Sequence, residues 1–313
     1  MTLAIEPDRT ARRAAIVGAA EYKTVKMNVA DARTSLEVAA DLGLRALDDA
    51  GLSLRDVDGL YCVGVHESNA FVPSTVCEYL GLRLDHAGTV DLGGANAVAM
   101  VARAAMAIAA GEASIVLCIT PGWPAPADPD RITLARRFGA SSYLPGSPQA
   151  EFDIPLGHVN QNALYAMVAQ RYRAAHGYDA HAVARVVAHA RANAAVNPDA
   201  IFFGQTVSEE DVLASRMIAA PIRMLEIVMP VRGGAAVVVA DPAIAARCRH
   251  RAAMIAGWGE RLTHKSPQHA PDLLHPPMEA AATRAFARAE LRPADVDTCQ
   301  IYDCYPINTI MTL

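Results

Sequence analysis

The sequence predicts a layered α/β fold with largely parallel strands, built from two related halves. Three observations predict it. Short β-rich apolar runs alternate with longer Ala/Leu-rich helical stretches; one block of sequence recurs at a fixed offset; and the stretch from about 121 to 230 breaks the alternation.

The strands expected in chain order are Ala14–Ala19, Leu60–Val65, Ser114–Thr120, Ala235–Ala240, Ala252–Trp258 and Cys299–Cys304. A helix follows Thr34, whose hydroxyl can cap while Glu37 reaches back from three positions on. It ends at Gly51, a left-handed stop. The run Ala95–Gly111 is apolar nearly all round, which predicts a helix enclosed on most sides by other layers. It carries Asn96 and Arg103 and stops at Gly111-Glu112, too short and too weakly apolar to span a bilayer. Between 121 and 230 a Pro/Gly/Ser-rich segment (Pro121 to Pro155) leads into amphipathic helices near 158–176, 181–194 and 208–218, the last with a capped start at Ser208 and Asp211. This stretch reads as an excursion from the core.

Sliding the chain by 239 positions, from 45 to 284, lays RALDDAGLSLRDVD on RAFARAELRPADVD with Arg, Ala, Ala, Leu, Asp, Val and Asp identical. The same register puts Arg12, Ala14, Ile16 and Gly18 on Arg251, Ala253, Ile255 and Gly257. Two separate blocks in one ungapped register indicate duplication. In the first copy the pattern that follows DVD ends near 120, and its counterpart would end beyond Leu313, so the second half is expected to be incomplete.

The 313 residues are 52% hydrophobic and 19% charged, with a formal net charge of −5, so neither a phosphate backbone nor an anionic lipid surface would be attracted at long range. No nucleic-acid role is expected. Cys62, Cys77, Cys118, Cys248, Cys299 and Cys304 form no CxxC pair, which fits a reducing cytoplasm and gives no metal site. The N-terminus lacks the apolar core of an export signal.

GxxxxGK[ST], GxGxxG, HExxH and GxSxG are all absent. What remains is VDLGGANAVAM, residues 90–100, where an apolar segment meets Gly93-Gly94 and then the apolar helix. A helix N-terminus concentrates free N–H groups and positive partial charge, so it suits an oxyanion, a thiolate or a phosphate. Two glycines there also suit tight packing alone.

With AAIVGAAEY, DVDGLYCVG, DLGGANAVAMVARAAMAIAAGEASIVLC, YAMVAQRYRAAHGYDAHAVARVVAHARANAAVNPDA, EEDVLASRMIAAPIR, GGAAVVVA and DVDTCQIYDCY, the chain resembles the thiolase superfamily. The branch is that of sterol-carrier or lipid-transfer thiolase-like proteins. The resemblance implies a duplicated αβαβα layered fold with an inserted loop domain. It divides the chain into an N-terminal half (1–120), a loop domain (121–230) and a third part, 231–313. That last part holds the closing strand of the first half and the start of an incomplete C-terminal half.

Two departures from the family pattern shape the expected chemistry. The family's nucleophilic Cys aligns with Gly94, which has no side chain to attack a thioester, and its His-Asp-Cys-Phe motif reads Tyr302-Asp303-Cys304-Tyr305. This looks like the aldolase-type members, which cleave a C–C bond of a β-hydroxyacyl-CoA without an acyl-enzyme. The resemblance then implies Tyr302 as general acid/base, Asp303 as its orienting partner, and Gly93, Gly94, Asn96 and His158 as substrate-binding positions. Cys304 is an alternative nucleophile, and Arg171, Arg173 and Arg185 could meet coenzyme A phosphates or simply face solvent. Coenzyme A enters as part of the substrate, with no bound cofactor. A homodimer and a small OB-fold, zinc-finger partner are the expected company. The other reading is a catalytically silent subunit that supports an active partner.

Overall fold

The computed structural model describes residues 14–26, 33–68, 70–122, 146–157 and 160–313. Among the described residues ten strands appear in chain order: β1 (Ala15–Glu21), β2 (Val25–Lys26), β3 (Gly59–Cys62), β4 (His86–Thr89), β5 (Ile115–Thr120), β6 (Met217–Ala219), β7 (Ile222–Arg223), β8 (Val231–Arg232), β9 (Ala235–Ala240) and β10 (Ala253–Met254). The helices are α1 (Ser35–Ala50), α2 (Val72–Leu80), α3 (Asn96–Ala110), α4 (Gln161–His176), α5 (Ala180–Val196), α6 (Glu209–Ala214), α7 (Pro242–Ala245), α8 (Met278–Ala289) and α9 (Pro306–Thr312).

Six strands form one sheet in the order β10-β1-β9-β5-β3-β4, while β2-β8 and β6-β7 are separate two-stranded ribbons. The sheet is mixed rather than largely parallel. β4, β3 and β5 run parallel, but β9 lies antiparallel between β5 and β1. The reason is where the excursion returns: the chain leaves the sheet at Thr120 and re-enters at Ala235, its direct partner, so β9 can only run back along β5. β5 alternates between two cores, with Ile115, Leu117 and Ile119 against α1 and α2, and Val116 and Cys118 against α3. Burial on both faces explains its unbroken apolar run.

Local signals decide the helix ends. Thr34 and Glu37 form the expected capping box and Gly51 ends α1 at φ +76. Asn160 caps α4 and Ser208 with Asp211 closes a box at α6. With the turn at 93–95, the apolar run Gly93–Ala110 reaches 18 residues at mean hydropathy 1.3, long and apolar enough to cross a membrane by composition. Here it is a core helix, with Met100, Ala104 and Ile108 on the sheet and Arg103 paired with Glu260. It is less enclosed than expected, because Val98 and Met106 face outward.

The duplication is visible atom by atom. A Cβ on Gly18 would sit 2.3 Å from the Ala46 carbonyl oxygen, and one on Gly257 would sit 2.3 Å from that of Ala285, 239 positions on in both members. The Leu52 N–H donates to the Leu47 carbonyl and the Leu291 N–H to that of Phe286. Glu290, at the place of Gly51, takes the same left-handed turn. β1 pairs with β10 through Ala15 and Met254, themselves equivalent residues, so a local two-fold axis passes through that pair.

Two expected strands are corrected. Ala252–Trp258 contributes only β10, and Cys299–Cys304 is not a strand. A strand needs a neighbour for its backbone groups, and residues 291–300 are exposed with no ladder beside them among the described residues. The chain instead turns inward at Cys304 and Tyr305 and starts α9 at Pro306.

Two outcomes are expected. Gly18→Ala and Gly257→Ala should each destabilise the fold by about 1–3 kcal/mol, since a methyl must displace helix backbone; urea melts in which only one of them loses stability would contradict equivalent packing. Burial lifts the Glu226 carboxyl from 4.5 to about 7, against the lowering effects of the Arg223 backbone and charge. The native state therefore holds a proton that the unfolded chain releases, and this contribution is complete below pH 4.5 and declines as pH rises to about 7. Glu226→Gln should gain about 2 kcal/mol over the parent at pH 8 and almost nothing at pH 4, read from melting curves at the two pH values.

Candidate functional site

β4 delivers the chain to Val90, whose N–H donates to the Cys62 carbonyl, and the turn Gly93–Ala95 then opens α3. Gly93 is left-handed at φ +59, a conformation that strains any other L-residue. Asn96 folds its side chain back so that its Oδ1 accepts from the Leu92 N–H at 2.5 Å. The side chain expected to hold substrate is thus committed to closing the turn. No side chain caps the first turn of α3. The Ala95 and Asn96 N–H groups bond to the Leu92 and Gly93 carbonyls, and the N–H groups after them lie at the positive end of a 15-residue helix.

The ring of Tyr302 lies on Gly94. A Cβ at position 94 would fall 2.3 Å from Tyr302 Cε1 and 2.9 Å from Cζ, so the phenol occupies the space a side chain would need. Tyr302 is 60% exposed and open to an incoming molecule. Burial foremost, with the charge of the neighbouring Cys304 thiol second, pushes the phenol above its ordinary value of 10. It is neutral at physiological pH.

Near Tyr302 lies a group of buried and half-buried polar side chains, of which sequence reasoning named only Cys304 and Tyr305. The Cys304 thiol donates to the Tyr165 hydroxyl at 3.5 Å and accepts from the Asn308 amide at 3.2 Å; Asn308 also reaches Tyr165 Oη at 3.5 Å. Tyr165 and Tyr305 stack with ring centroids 4.2 Å apart, and the Tyr305 hydroxyl donates to Asn162 Oδ1 at 2.6 Å. Asn162 and Tyr165 lie one turn apart on α4, and Asn308 follows Cys304 by four residues. These spacings were the available signal, but nothing local says that the two segments meet. Burial pushes the Cys304 thiol up, so it is a thiol and not a thiolate, unsuited to nucleophilic attack.

The remaining candidates separate from this centre. Asp303 is exposed and makes no hydrogen bond to Tyr302 among the described residues. His158 lies outside the described residues. Arg185 pairs with Glu209 at 3.1 Å, and Arg171 and Arg173 are exposed on α4. A cavity of about 240 Å³ adjoins the polar group, with Tyr165 and Asn308 in one wall and His264, Ser266, Leu273 and Met311 among the rest. No cluster of three metal-ligating side chains occurs among the described residues.

Chemically, the site combines an accessible neutral phenol, uncapped helix N–H donors and no side-chain nucleophile at position 94. That set can move a proton at a substrate oxygen and stabilise an oxyanion, but it cannot form an acyl-enzyme there.

The sequence model of the family described as Thiolase C-terminal domain-like matches residues 259–313. The chain is 31% identical over 292 residues to the 17-hydroxy-3-oxo-4-pregnene-20-carboxyl-CoA lyase of Mycobacterium tuberculosis, covering 90% of this chain and 73% of that protein. It is 29% identical to a steroid side-chain-cleaving aldolase of Thermomonospora curvata, covering 87% and 70%. Among solved structures, the Ltp2-ChsH2(DUF35) aldolase superimposes with a TM-score of 0.80 at 26% identity, over 96% of this chain and 75% of that one.

The Gly94–Tyr302 contact predicts a coupled pair. Gly94→Ala should cost about 1–3 kcal/mol in the parent but markedly less in a Tyr302→Ala background. A double-mutant cycle of urea melts reads the difference, and additive costs would show that the ring does not rest on that backbone.

Proposed function

The chain belongs to the thiolase superfamily, in the branch that holds the steroid side-chain-cleaving aldolases, and from that premise we propose that it is a C–C lyase acting on β-hydroxyacyl-CoA thioesters. The observation that carries the reading is the phenol of Tyr302 seated over Gly94. The residue that would form an acyl-enzyme has no side chain, and its space holds an acid/base group instead. In retro-aldol cleavage the β-hydroxyl loses its proton to Tyr302. The carbon–carbon bond then breaks, leaving a ketone or aldehyde and a thioester enolate. In this reading the positive end of α3 stabilises the developing enolate oxygen, where preorganised dipoles act most strongly. Gly93 has open space beside it, and Gly94 leaves room for the Tyr302 ring.

The similarity to two steroid-cleaving proteins supports a bulky polycyclic acyl group, and the two-component name of the aligned aldolase structure supports a partner subunit. A small OB-fold, zinc-finger protein is the partner we propose. β4, the outer strand of the sheet, has one unpaired edge among the described residues and is the surface we propose for a homodimer. Lipid or steroid catabolism in the cytoplasm completes the reading.

The test incubates the purified protein, alone and with a co-expressed partner, with a panel of β-hydroxyacyl-CoA esters and follows products by mass spectrometry. The expected result is a carbonyl compound plus a shortened acyl-CoA, with Tyr302→Phe lowering kcat by about 100-fold or more. Absence of cleavage across the panel, or full activity in Tyr302→Phe, overturns the proposal.

A further inference from the structure

Among the described residues, the turn on which the Tyr302 ring rests is crossed by a single side-chain hydrogen bond. Gly93 is left-handed at φ +59 with nothing within 4 Å of where its Cβ would lie, and Gly94 has no side chain either, so packing does little to fix residues 93–95. Hydrogen bonds close the turn instead. The Leu92 carbonyl accepts from the Ala95 N–H at 3.3 Å, and the Gly93 carbonyl accepts from the Asn96 N–H; each of these bonds encloses only part of the turn. The bond from the Leu92 N–H to Asn96 Oδ1, at 2.5 Å, spans all three turn residues and ties the residue before them to the first residue of α3. A backbone N–H can only donate, so the Asn96 amide is fixed with its oxygen toward the turn.

We propose that Asn96 is a positioning residue, whose side-chain bond to the Leu92 N–H holds the Gly93–Gly94 turn as the seat of the Tyr302 ring. The inference rests on the lyase reading for its kinetic consequence and deepens it. The link from the turn to Tyr302 is van der Waals contact. A Cβ built on Gly94 falls 2.3 Å from Tyr302 Cε1, 2.9 Å from Cζ and 3.0 Å from Cδ1, so one edge of the ring lies along that backbone. A turn that moved toward the ring would push it off, and a turn that moved away would leave it unsupported. Proton transfer from a substrate hydroxyl is steep in distance, so small displacements of the phenol register in the rate.

Two features make this side chain decisive. Glycine loses more conformational freedom on folding than any other residue, so two in succession leave the turn costly to order. A side chain that reaches back from the first turn of a helix to the N–H before it supplies what the helix backbone cannot. The strand side is already fixed, because the Val90 N–H donates to the Cys62 carbonyl at 2.9 Å, and with Asn96 in place the turn is pinned at both ends. The two roles open to Asn96 also differ in chemistry. Turn closure needs only its oxygen, whereas holding a substrate oxygen would need its NH2.

The experiment has readouts with and without activity. In leucine-labelled protein followed by NMR, the Leu92 N–H should exchange with D2O about 10-fold faster or more in Asn96→Ala, and stay protected in Asn96→Asp, which keeps the acceptor and loses the NH2. The ultraviolet titration of Tyr302, isolated as the difference between each protein and its Tyr302→Phe counterpart, should fall toward 10 in Asn96→Ala as the ring leaves its seat. Neither readout needs a substrate, so both stand apart from the lyase reading. Parental Leu92 exchange or an unmoved Tyr302 titration in Asn96→Ala overturns the proposal, as does lost protection in Asn96→Asp. With an active thioester from the panel, Asn96→Ala should lower kcat about 10-fold at nearly unchanged KM, but by less than about 2-fold in a Tyr302→Phe background. A raised KM with parental kcat, or equal losses in the two backgrounds, assigns Asn96 to the substrate and overturns positioning. Asn96→Ser, whose oxygen sits one bond closer to the backbone and so falls short of Leu92, serves in place of an alanine variant that fails to fold.

Discussion

The absence of one methyl group organises the site. With a side chain at position 94 the Tyr302 ring would have to leave the start of α3, because its Cε1 occupies the space within 2.3 Å of that Cβ. A nucleophile at this turn and a phenol lying on it are therefore mutually exclusive. Gly94 is more than the loss of a catalytic thiol: it is the condition under which a different group can approach the same helix N-terminus. The chemistry available changes from covalent transfer to proton transfer, with the backbone donors kept.

The segment that carries Tyr302 is anchored just after it by a group of polar side chains. Tyr165, Cys304, Asn308, Tyr305 and Asn162 satisfy one another's hydrogen bonds across two segments more than a hundred residues apart in sequence. A buried polar network of this kind is costly when any member is unpaired, and so specifies one arrangement. Its members come from α4, in the excursion, and from the segment that runs into α9. The excursion thus contributes side chains directly to the ground on which Tyr302 stands.

What could be read from the sequence was what is decided locally. The caps of α1 and α6 and the left-handed stop at Gly51 depend on residues within a few positions of one another, and the 239-residue register is a direct match of sequence to sequence; all appear as expected. Tyr302 and Gly94 were paired through family resemblance. Cys299–Cys304 is no strand because an apolar alternation becomes one only beside a partner, and none flanks it among the described residues. Asp303 was assigned the orienting role by adjacency in sequence, but alternation along an extended segment sends neighbouring side chains to opposite sides, and Cys304 turns inward instead. Tyr165 and Asn162 were invisible for the complementary reason: on an amphipathic helix a tyrosine and an asparagine one turn apart are ordinary until another segment packs against them.

The two copies of the repeat contribute differently to this site. Tyr302 stands 239 positions after Val63, and Cys304 after Val65, so the reactive segment is the second copy of the stretch that leaves β3. In the first copy β3 is enclosed between β4 and β5, and an apolar exit is what packing there demands. In the second copy the corresponding stretch is free of a ladder and comes to lie on the α3 turn of the first. The local two-fold axis at Ala15 and Met254 brings the halves together without making their surroundings alike. Gly18 and Gly257 keep their contact because both still receive a helix backbone, whereas Val63 and Tyr302 diverged because one faces a core and the other an opening. The helix terminus comes from one half and the phenol from the other, so neither half contains the site alone.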